Sequence, residues 1–160
     1  MLKDGQKQRL LGELNSLKRF CVSLTGDSAD ADDLLQLTVE RVLERGMPED
    51  AHVAKWSYRV CRNIWLDELR SREVRQRYAA AASTTDAMQS GGAGDGFDRL
   101  ELERVDAAME GLPEEQRSAL LLVAVEGRSY AEVAEILDIP LGTVMSRVAR
   151  ARRSLAEKLE

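Results

Sequence analysis

Apolar residues recur at three- and four-residue steps in the first half of the chain, which is the period of an amphipathic helix. Residues 8–25 carry such a stripe, formed by Leu10, Leu14, Leu17, Cys21 and Leu24. Gly26 predicts the end of this helix, and Asp27 or Ser28 predicts the cap of a second one over 29–45. The apolar side of the second helix is expected to hold Leu35, Val39, Val42 and Leu43. Gly46-Met47-Pro48 breaks it, and a third helix is predicted over 52–77.

The second half of the chain has the same helical period. Helices are predicted over 97–110, 113–126, 129–137 and 141–159. Pro113 suits a first helical position, while Gly111 and Gly127 mark helix ends. Ser129 and Glu132 have the spacing of a capping box at the start of a short helix.

Residues 78–97 separate these two halves and lack an apolar period. They are rich in Ala, Ser, Thr and Gly, a composition typical of flexible linkers. The pattern therefore predicts an all-α fold with two small helical domains, 8–77 and 98–160, joined by a flexible linker over 78–97. An ordered surface loop is the alternative for this segment, although long loops without structure are uncommon inside one compact domain.

The charge of the chain is unevenly distributed. The net charge is −5, which disfavours a protein that coats DNA unaided. Residues 86–115 hold nine acidic residues and two arginines, a net −7, whereas residues 141–160 hold five basic and two acidic residues, a net +3. A basic C-terminal helix on an acidic protein indicates local DNA contact supported by a further partner.

Several classes of protein are disfavoured by composition. There is no apolar run long enough for a membrane span and no signal-peptide pattern, so we expect a cytoplasmic protein without membrane insertion. Cys21, Cys61 and His52 stand apart in sequence, and we expect both cysteines to be buried and reduced, with a redox or zinc role as the alternative. Neither a catalytic motif nor a cofactor motif is present, so no catalytic residue, metal or cofactor is expected.

Residues 129–155 predict a helix-turn-helix. The last helix carries one apolar stripe, made of Val144, Val148, Ala151, Leu155 and Leu159. A group of small and basic residues falls largely outside that stripe, as expected for a helix that enters the major groove: Met145, Ser146, Ala149, Arg150 and Arg153. Arg150 can reach a guanine edge, while Arg147, Arg152 and Arg153 suit phosphates. A helical bundle with a solvated basic face is the alternative.

The second half resembles region 4 of extracytoplasmic-function (ECF) RNA polymerase sigma factors. The resemblance rests on the stretches Leu112–Arg117, Gly127–Ala134, Gly142–Arg147 and Arg150–Arg152. It implies a domain that binds the −35 promoter element and the flap of the polymerase β subunit. Ala149 is smaller than the side chain often found at its position in the family.

The first half resembles region 2 of the same family. Ala31–Gln36 is similar to the motif that docks on the clamp helices of the polymerase β′ subunit, which implies contacts from Asp33, Leu34, Leu35 and Gln36. Lys55–Asn63, followed by Asp67 and Leu69-Arg70, is similar to the helix that melts and reads the −10 element. The implied −10 residues are Lys55, Tyr58, Arg59, Arg62, Asn63 and Trp65. Ser57 departs from the family, which usually has an apolar residue there.

Base melting needs an aromatic platform and a basic track. Trp56 and Trp65 are nine residues apart, hence about 180° apart around a helix, and cannot both face one small core. We expect Trp56 to pack in the core beside Val60, and Trp65 to be exposed on the side of Tyr58. The loop Gly46–Ala51 corresponds to the family's pocket for a flipped base, with Met47, Glu49 and His52 as candidates by position.

The resemblance implies a sigma factor that binds core RNA polymerase and promoter DNA, with an anti-sigma factor as a further partner and stress response as a common setting. Since the sequence ends at residue 160, we expect no C-terminal regulatory domain. A stand-alone helix-turn-helix regulator is the main alternative, but it leaves the first half unexplained. An enzyme is the second alternative, and a single histidine offers little acid–base chemistry.

Overall fold

The computed structural model describes residues 2–82, 104–105 and 107–159. Within these ranges every regular element is a helix, which confirms the predicted all-α fold with two helical domains. Most of the expected linker lies outside the described residues. The elements are α1 (Asp4–Thr25), α2 (Ser28–Arg45), α3 (Val53–Ala82), α4 (Glu114–Leu120) with a π-helical turn after it (Leu121–Val125), α5 (Tyr130–Leu137) and α6 (Leu141–Leu159).

The first domain is formed by α1, α2 and α3, which pack around a shared apolar core. Gly26 ends α1 at a φ of 72°, in the left-handed region that glycine tolerates, and the Asp27 carboxylate accepts a hydrogen bond from the Asp30 amide at 2.9 Å. Both features follow the sequence prediction. The helix α1 buries the predicted stripe, although Leu14 is only half-buried, and Phe20 joins the core.

The buried side of α2 differs from the prediction. The core side is made of Ala31, Leu34, Thr38 and Val42. Leu35 and Val39 are half-buried, and Leu43 is exposed. The hydroxyl of Thr38 donates to the Leu34 carbonyl at 2.8 Å, which lets a polar residue occupy the core. The prediction counted only apolar residues and therefore missed Thr38, which occupies a core position because its hydroxyl has a hydrogen-bond partner.

The two cysteines meet in the core of the first domain. Cys21 of α1 and Cys61 of α3 are both fully buried, with their sulfur atoms 3.5 Å apart, and both are free thiols. The hydrogen bond to Cys61, together with burial, raises the pKa of the Cys21 thiol. The predicted burial of both cysteines is confirmed, and these two residues, 40 positions apart in sequence, are neighbours in space.

The helix α3 extends beyond its predicted end. It continues through Tyr78 and four alanines to Ala82, whereas the prediction ended it at residue 77. Alanine has the highest intrinsic helix propensity, so an alanine run next to an existing helix extends it. Of the helix predicted over 97–110, residues 104–105 and 107–110 are helical, and the others lie outside the described residues.

In the second domain, the helix predicted over 113–126 begins as an α-helix and continues as a π-helix. After α4, residues Leu121–Val125 form a π-helical turn, and the Glu126 amide donates to the Leu121 carbonyl at 3.0 Å. Gly127 follows at a φ of 67°, where the chain reverses. Glu126 therefore lies at a sharp bend between α4 and α5.

The helix-turn-helix is confirmed in α5 and α6. The Ser129 hydroxyl accepts from the Glu132 amide at 3.1 Å, and the Glu132 carboxylate accepts from the Ser129 amide at 2.9 Å, which completes the capping box. Asp138 turns the chain at a φ of 57°, a conformation that aspartate tolerates better than most residues. On α6, Val144, Val148 and Ala151 are buried as predicted.

The two domains pack on each other. Contacts run from α3 to α5 and from α1 to the π-helical turn. The buried apolar residues of both domains form one continuous cluster. Among the described helices, none is long and apolar enough to cross a membrane.

We expect Ser129→Ala to lower the free energy of unfolding by about 1 kcal/mol, because it leaves the first turn of α5 without its cap. Urea denaturation followed by circular dichroism measures the change. Ser71→Ala, at an exposed position inside α3, is the matched control and should leave the unfolding midpoint nearly unchanged. Equal effects of the two substitutions would contradict the capping role.

Candidate nucleic-acid and polymerase-binding surfaces

The outward side of α6 presents the residues predicted to contact the −35 element. We call Met145, Ser146, Ala149, Arg150 and Arg153 the reading face; all five are exposed. The buried stripe on the opposite side of the same helix fixes their orientation. Arg147, predicted as a phosphate contact, is half-buried at the edge of this face. An exposed helix face with short side chains and two guanidinium groups can approach a major groove closely.

Four of the six candidate −10 residues lie along one side of α3 at steps of three and four residues. We call Lys55, Tyr58, Arg59 and Arg62 the α3 basic face. In the structure this face is covered by the second domain. The Arg59 guanidinium donates to the carbonyls of Glu135 and Ile136 at the end of α5, with 3.0 Å to Ile136.

The ends of the same face are also engaged by the second domain. Lys55 Nζ lies 2.9 Å from a carboxylate oxygen of Glu135. Arg62 donates to the Ser118 hydroxyl at 2.9 Å, and that hydroxyl donates to Glu114 at 2.6 Å. Burial lowers the pKa of Arg62, and the positive charge of Arg147 adds to this effect. Asn63, the fifth candidate, is exposed.

The expected exposure of the aromatic residues is wrong. Trp65 is 5% exposed and Tyr58 is 1% exposed, whereas Trp56 is only half-buried. The ring of Tyr58 meets Phe20 edge to face, with centroids 5.1 Å apart. Trp65 packs beneath Arg72, whose guanidinium carbon lies 5.1 Å from its ring centroid. The prediction placed the two tryptophans correctly on opposite sides of α3 but assigned the wrong one to the core.

Trp56 lies beside the loop expected to receive a flipped base. With His52 and Lys55 of the first domain, and with Glu135 of the second domain, it lines a cavity of about 290 Å³. Glu49 is exposed and forms an ion pair with Lys3, while Met47 packs against the core. His52 and Trp56 are therefore better placed to contact a base than Met47 or Glu49.

The candidate polymerase-binding residues of α2 separate into two groups. Asp33 and Gln36 are exposed on the outer side, as expected. Leu34 is buried at 3% exposure and Leu35 is half-buried, so Leu34 supports the core instead of presenting a surface. Leu37 is an exposed apolar residue near Asp33, at 49%, and the sequence prediction missed it. With Asp33 and Arg41 it lines a cavity of about 310 Å³ between α2 and α3.

Glu126 is a further residue that sequence reasoning missed. Its side chain has no solvent exposure and accepts from Arg19 twice, at 3.0 and 3.1 Å, and from the Tyr58 hydroxyl at 2.8 Å. The guanidinium carbon of Arg128 lies over the Tyr58 ring, 5.1 Å from its centroid. Burial is the main reason that the pKa of Tyr58 rises to about 12. One carboxylate thus connects α1, α3 and the bend after the π-helical turn.

Comparison with protein families gives two matches that follow the two domains. The model for Sigma-70 region 2 matches residues 12–75, and the model for Sigma-70 region 4 matches residues 102–155. The ECF RNA polymerase sigma factor EcfG of Rhodopseudomonas palustris is 34% identical over 99% of this chain and 87% of the relative. This chain belongs to the ECF sigma factors. SigM of Mycobacterium tuberculosis is 37% identical over 89% of the chain and 71% of the relative.

A solved sigma factor structure also matches both domains. The sigma factor RpoE of Bartonella quintana, in complex with the anti-sigma factor NepR, has a TM-score of 0.76 at 29% identity, covering 96% of this chain and 95% of that one. ECF sigma factors recognise promoters as non-catalytic initiation factors of RNA polymerase. A stand-alone helix-turn-helix regulator is not favoured, because region 2 accounts for the first half of this chain.

The buried phenol of Tyr58 predicts a loss of stability at high pH. Its folded-state pKa of about 12 lies above the ordinary value near 10, so its contribution is complete below pH 10 and is lost as the pH rises to about 12. The urea midpoint of unfolding should fall as the pH rises through this range. The midpoint of the Tyr58→Phe variant should fall less steeply. Parallel pH curves for the two proteins would contradict this prediction.

Proposed function

We propose that this sigma factor directs core RNA polymerase to promoters with residues 98–160 on the −35 element and residues 8–77 on the −10 element. The observation that carries the assignment is the paired set of surfaces: an exposed reading face on α6, and a basic face on α3 near the half-buried Trp56. The segment after α3 joins them. We place this activity in the cytoplasm, where bacterial transcription takes place.

The reading face supports −35 recognition through direct contacts in the major groove. Arg150 lies on the outward side of α6 and has the length to donate two hydrogen bonds to a guanine edge. Ser146 and Ala149 are small, so they let the helix backbone approach the bases. Arg147, Arg152 and Arg153 neutralise phosphates, which positions the helix without reading sequence.

For the −10 element, we propose that Lys55, Arg59 and Arg62 follow the backbone of the melted strand. An unstacked base binds in the cavity lined by Trp56 and His52, since stacking on an aromatic ring stabilises a base without pairing. Asn63 is exposed and, with Trp56 and Gly46, lines a second cavity, where it adds a polar contact. Trp65 contributes to the site by supporting α3, because its side chain lies in the core of the first domain.

Polymerase docking accounts for the acidic surface of α2. We propose that Asp33 and Gln36 contact the β′ clamp helices, with Leu37 in place of Leu34 as the apolar contact. Leu35 is half-buried and contributes at the edge. The second domain contacts the β flap. Two weak attachments joined by one chain increase each other's effective concentration, which explains how an acidic protein binds promoter DNA through polymerase.

An anti-sigma factor is a further proposed partner. RpoE, which was solved in complex with NepR, aligns along 96% of this chain at 29% identity, and this likeness supports a partner of the same kind. We propose an anti-sigma factor of the NepR kind. Purified NepR of Bartonella quintana is a direct probe, and we expect it to bind this chain and reduce transcription. An unchanged transcript yield at saturating NepR would argue against a partner of this kind.

The central experiment is run-off transcription with bacterial core RNA polymerase and a library of genomic promoter fragments. We expect the purified protein to co-migrate with core polymerase and to select a consistent set of start sites. The same protein without polymerase should bind duplex promoter DNA weakly. Tight specific DNA binding without polymerase, or no effect on start-site selection, would contradict the proposed function.

For the −35 contact, we expect Arg150→Ala to weaken initiation by about 1–3 kcal/mol on the preferred promoter and to relax the −35 preference. Arg152→Ala, on the same helix but off the reading face, should weaken all promoters by a similar factor. Competition between −35 variants in run-off transcription measures both effects. An unchanged −35 preference in Arg150→Ala would remove this residue from base recognition.

For polymerase docking, we expect Asp33→Lys to reduce binding to core polymerase at least about tenfold, because it reverses an exposed charge at the proposed contact. Glu44→Lys changes charge equally at an exposed position near the end of the same helix and serves as the control. Fluorescence anisotropy with labelled sigma factor gives the affinities. Equal losses in both variants would indicate a general charge effect.

A further inference from the structure

The core of the first domain holds the two cysteines of the chain side by side. Cys21 of α1 and Cys61 of α3 are fully buried and free, and their Sγ atoms are 3.5 Å apart. Neither residue belongs to the proposed DNA or polymerase surfaces, so the proposed function leaves this pair unexplained. A cysteine often serves as a small buried residue, but that role does not require two thiols to face each other.

We propose that Cys21 and Cys61 are a reversible modification site, at which a peroxide converts the two thiols to one disulfide that ties α1 to α3. The oxidant is a hydroperoxide, and hydrogen peroxide is the smallest member of this class. The inference concerns the first domain alone and does not depend on the proposed function.

The packing of α1 against α3 brings the two sulfur atoms to the same level of the core. A disulfide bond is about 2.05 Å long, so the pair has to close by only about 1.5 Å from its present separation. The ring of Phe20, next to Cys21, meets the ring of Tyr58, one turn before Cys61, with centroids 5.1 Å apart. The two helices are therefore already apposed at the level of the thiols.

The reaction balances with hydrogen peroxide as the only co-reactant. One sulfur, as its thiolate, attacks a peroxide oxygen; the O–O bond breaks, and a sulfenic acid and one water form. The second sulfur attacks the sulfenic sulfur, the S–O bond breaks, and a second water leaves. The two thiols lose two electrons and two protons, and the peroxide gains them. A partner sulfur at 3.5 Å can trap the sulfenic acid before further oxidation.

Burial controls the rate of this reaction, while the pairing of the thiols controls its product. The hydrogen bond to Cys61, together with burial, raises the pKa of the Cys21 thiol and so disfavours the reactive thiolate. Neither cysteine is exposed to solvent, so peroxide reaches the pair when the domain opens locally. We therefore expect slow oxidation, and a small dithiol that enters by the same opening should restore the thiols.

The disulfide would close a loop of the chain that contains all of α2. The two cysteines are 40 positions apart, and a bond across such a loop lowers the conformational entropy of the unfolded chain. Both sulfur atoms lie in the core, whereas Asp33 and Gln36 are exposed on the outer side of α2. The modification thus stabilises the first domain without occupying the surfaces proposed for DNA and polymerase.

Peptide mapping of the peroxide-treated protein tests the proposal. The folded full-length chain is treated with hydrogen peroxide, the peroxide is removed with catalase, and remaining thiols are alkylated with N-ethylmaleimide in urea. We expect a cross-linked peptide that joins Cys21 to Cys61 and is about 2 Da lighter than its two thiol peptides together. Dithiothreitol before alkylation should restore maleimide labelling of both residues, and a non-reducing gel should show a monomer.

Thermal unfolding measures the effect of the bond on stability. We expect peroxide treatment to raise the midpoint of the natural protein by at least about 5 °C and dithiothreitol to reverse the rise. Cys21→Ala and Cys61→Ala each retain one thiol and are the matched controls. Neither should gain stability after the same treatment, which separates the disulfide from oxidation of methionine. Circular dichroism before treatment shows whether each variant keeps the helix content of the natural protein.

Three results would overturn the proposal. Both thiols could remain free in the folded protein under conditions that oxidise the same chain in urea, and the cysteines would then be inert packing residues. Disulfide-linked dimers could be the main product, or a mapped bond could leave the unfolding midpoint unchanged. Start-site selection by the reduced protein tests the proposed function separately, so each hypothesis can fail without the other.

Discussion

The cationic side chains of α3 can satisfy only one set of acceptors at a time. Arg59 and Arg62 have no room to bind a nucleic-acid strand while their guanidinium groups donate to α5 and Ser118. A buried guanidinium without an acceptor is costly, so the face must be either paired with protein or exposed to solvent and DNA. This constraint acts together with the apolar core that the two domains share.

The surface that remains free is the reading face of α6. The two surfaces proposed to bind DNA are thus in different states within one molecule: the proposed −35 surface is exposed, while most of the proposed −10 surface is covered. This asymmetry agrees with the order in which the surfaces are needed. Duplex DNA is available to α6 from the start, whereas a melted strand exists only after polymerase has engaged the promoter.

The sequence predicted local structure better than it predicted exposure. The capping box of Ser129 and Glu132 follows from nearest-neighbour chemistry, and the structure has it. Of the predicted stripe of α6, Val144, Val148 and Ala151 are buried, while Leu155 and Leu159 are half-buried. The burial of Tyr58 could not be predicted, because its covering residues come from the other end of the chain. Leu37 was overlooked because one exposed leucine among acidic residues gives no periodic signal. Lys55, Arg59 and Arg62 form a stripe visible in the sequence. Their spacing does not show which part of the chain binds them in the folded protein.

The π-helical turn at Leu121–Val125 carries a consequence for comparing this protein with its relatives. Such a turn holds about one residue more than an α-helix of equal rise, so it has the character of an insertion. Without that residue, position 126 would rotate by about 100° around the helix axis and its carboxylate would point away from α1 and α3. Family members that can bury a carboxylate between their domains would then be distinguished by the length of the segment before position 126. The presence of an acidic residue at that position would be the weaker criterion.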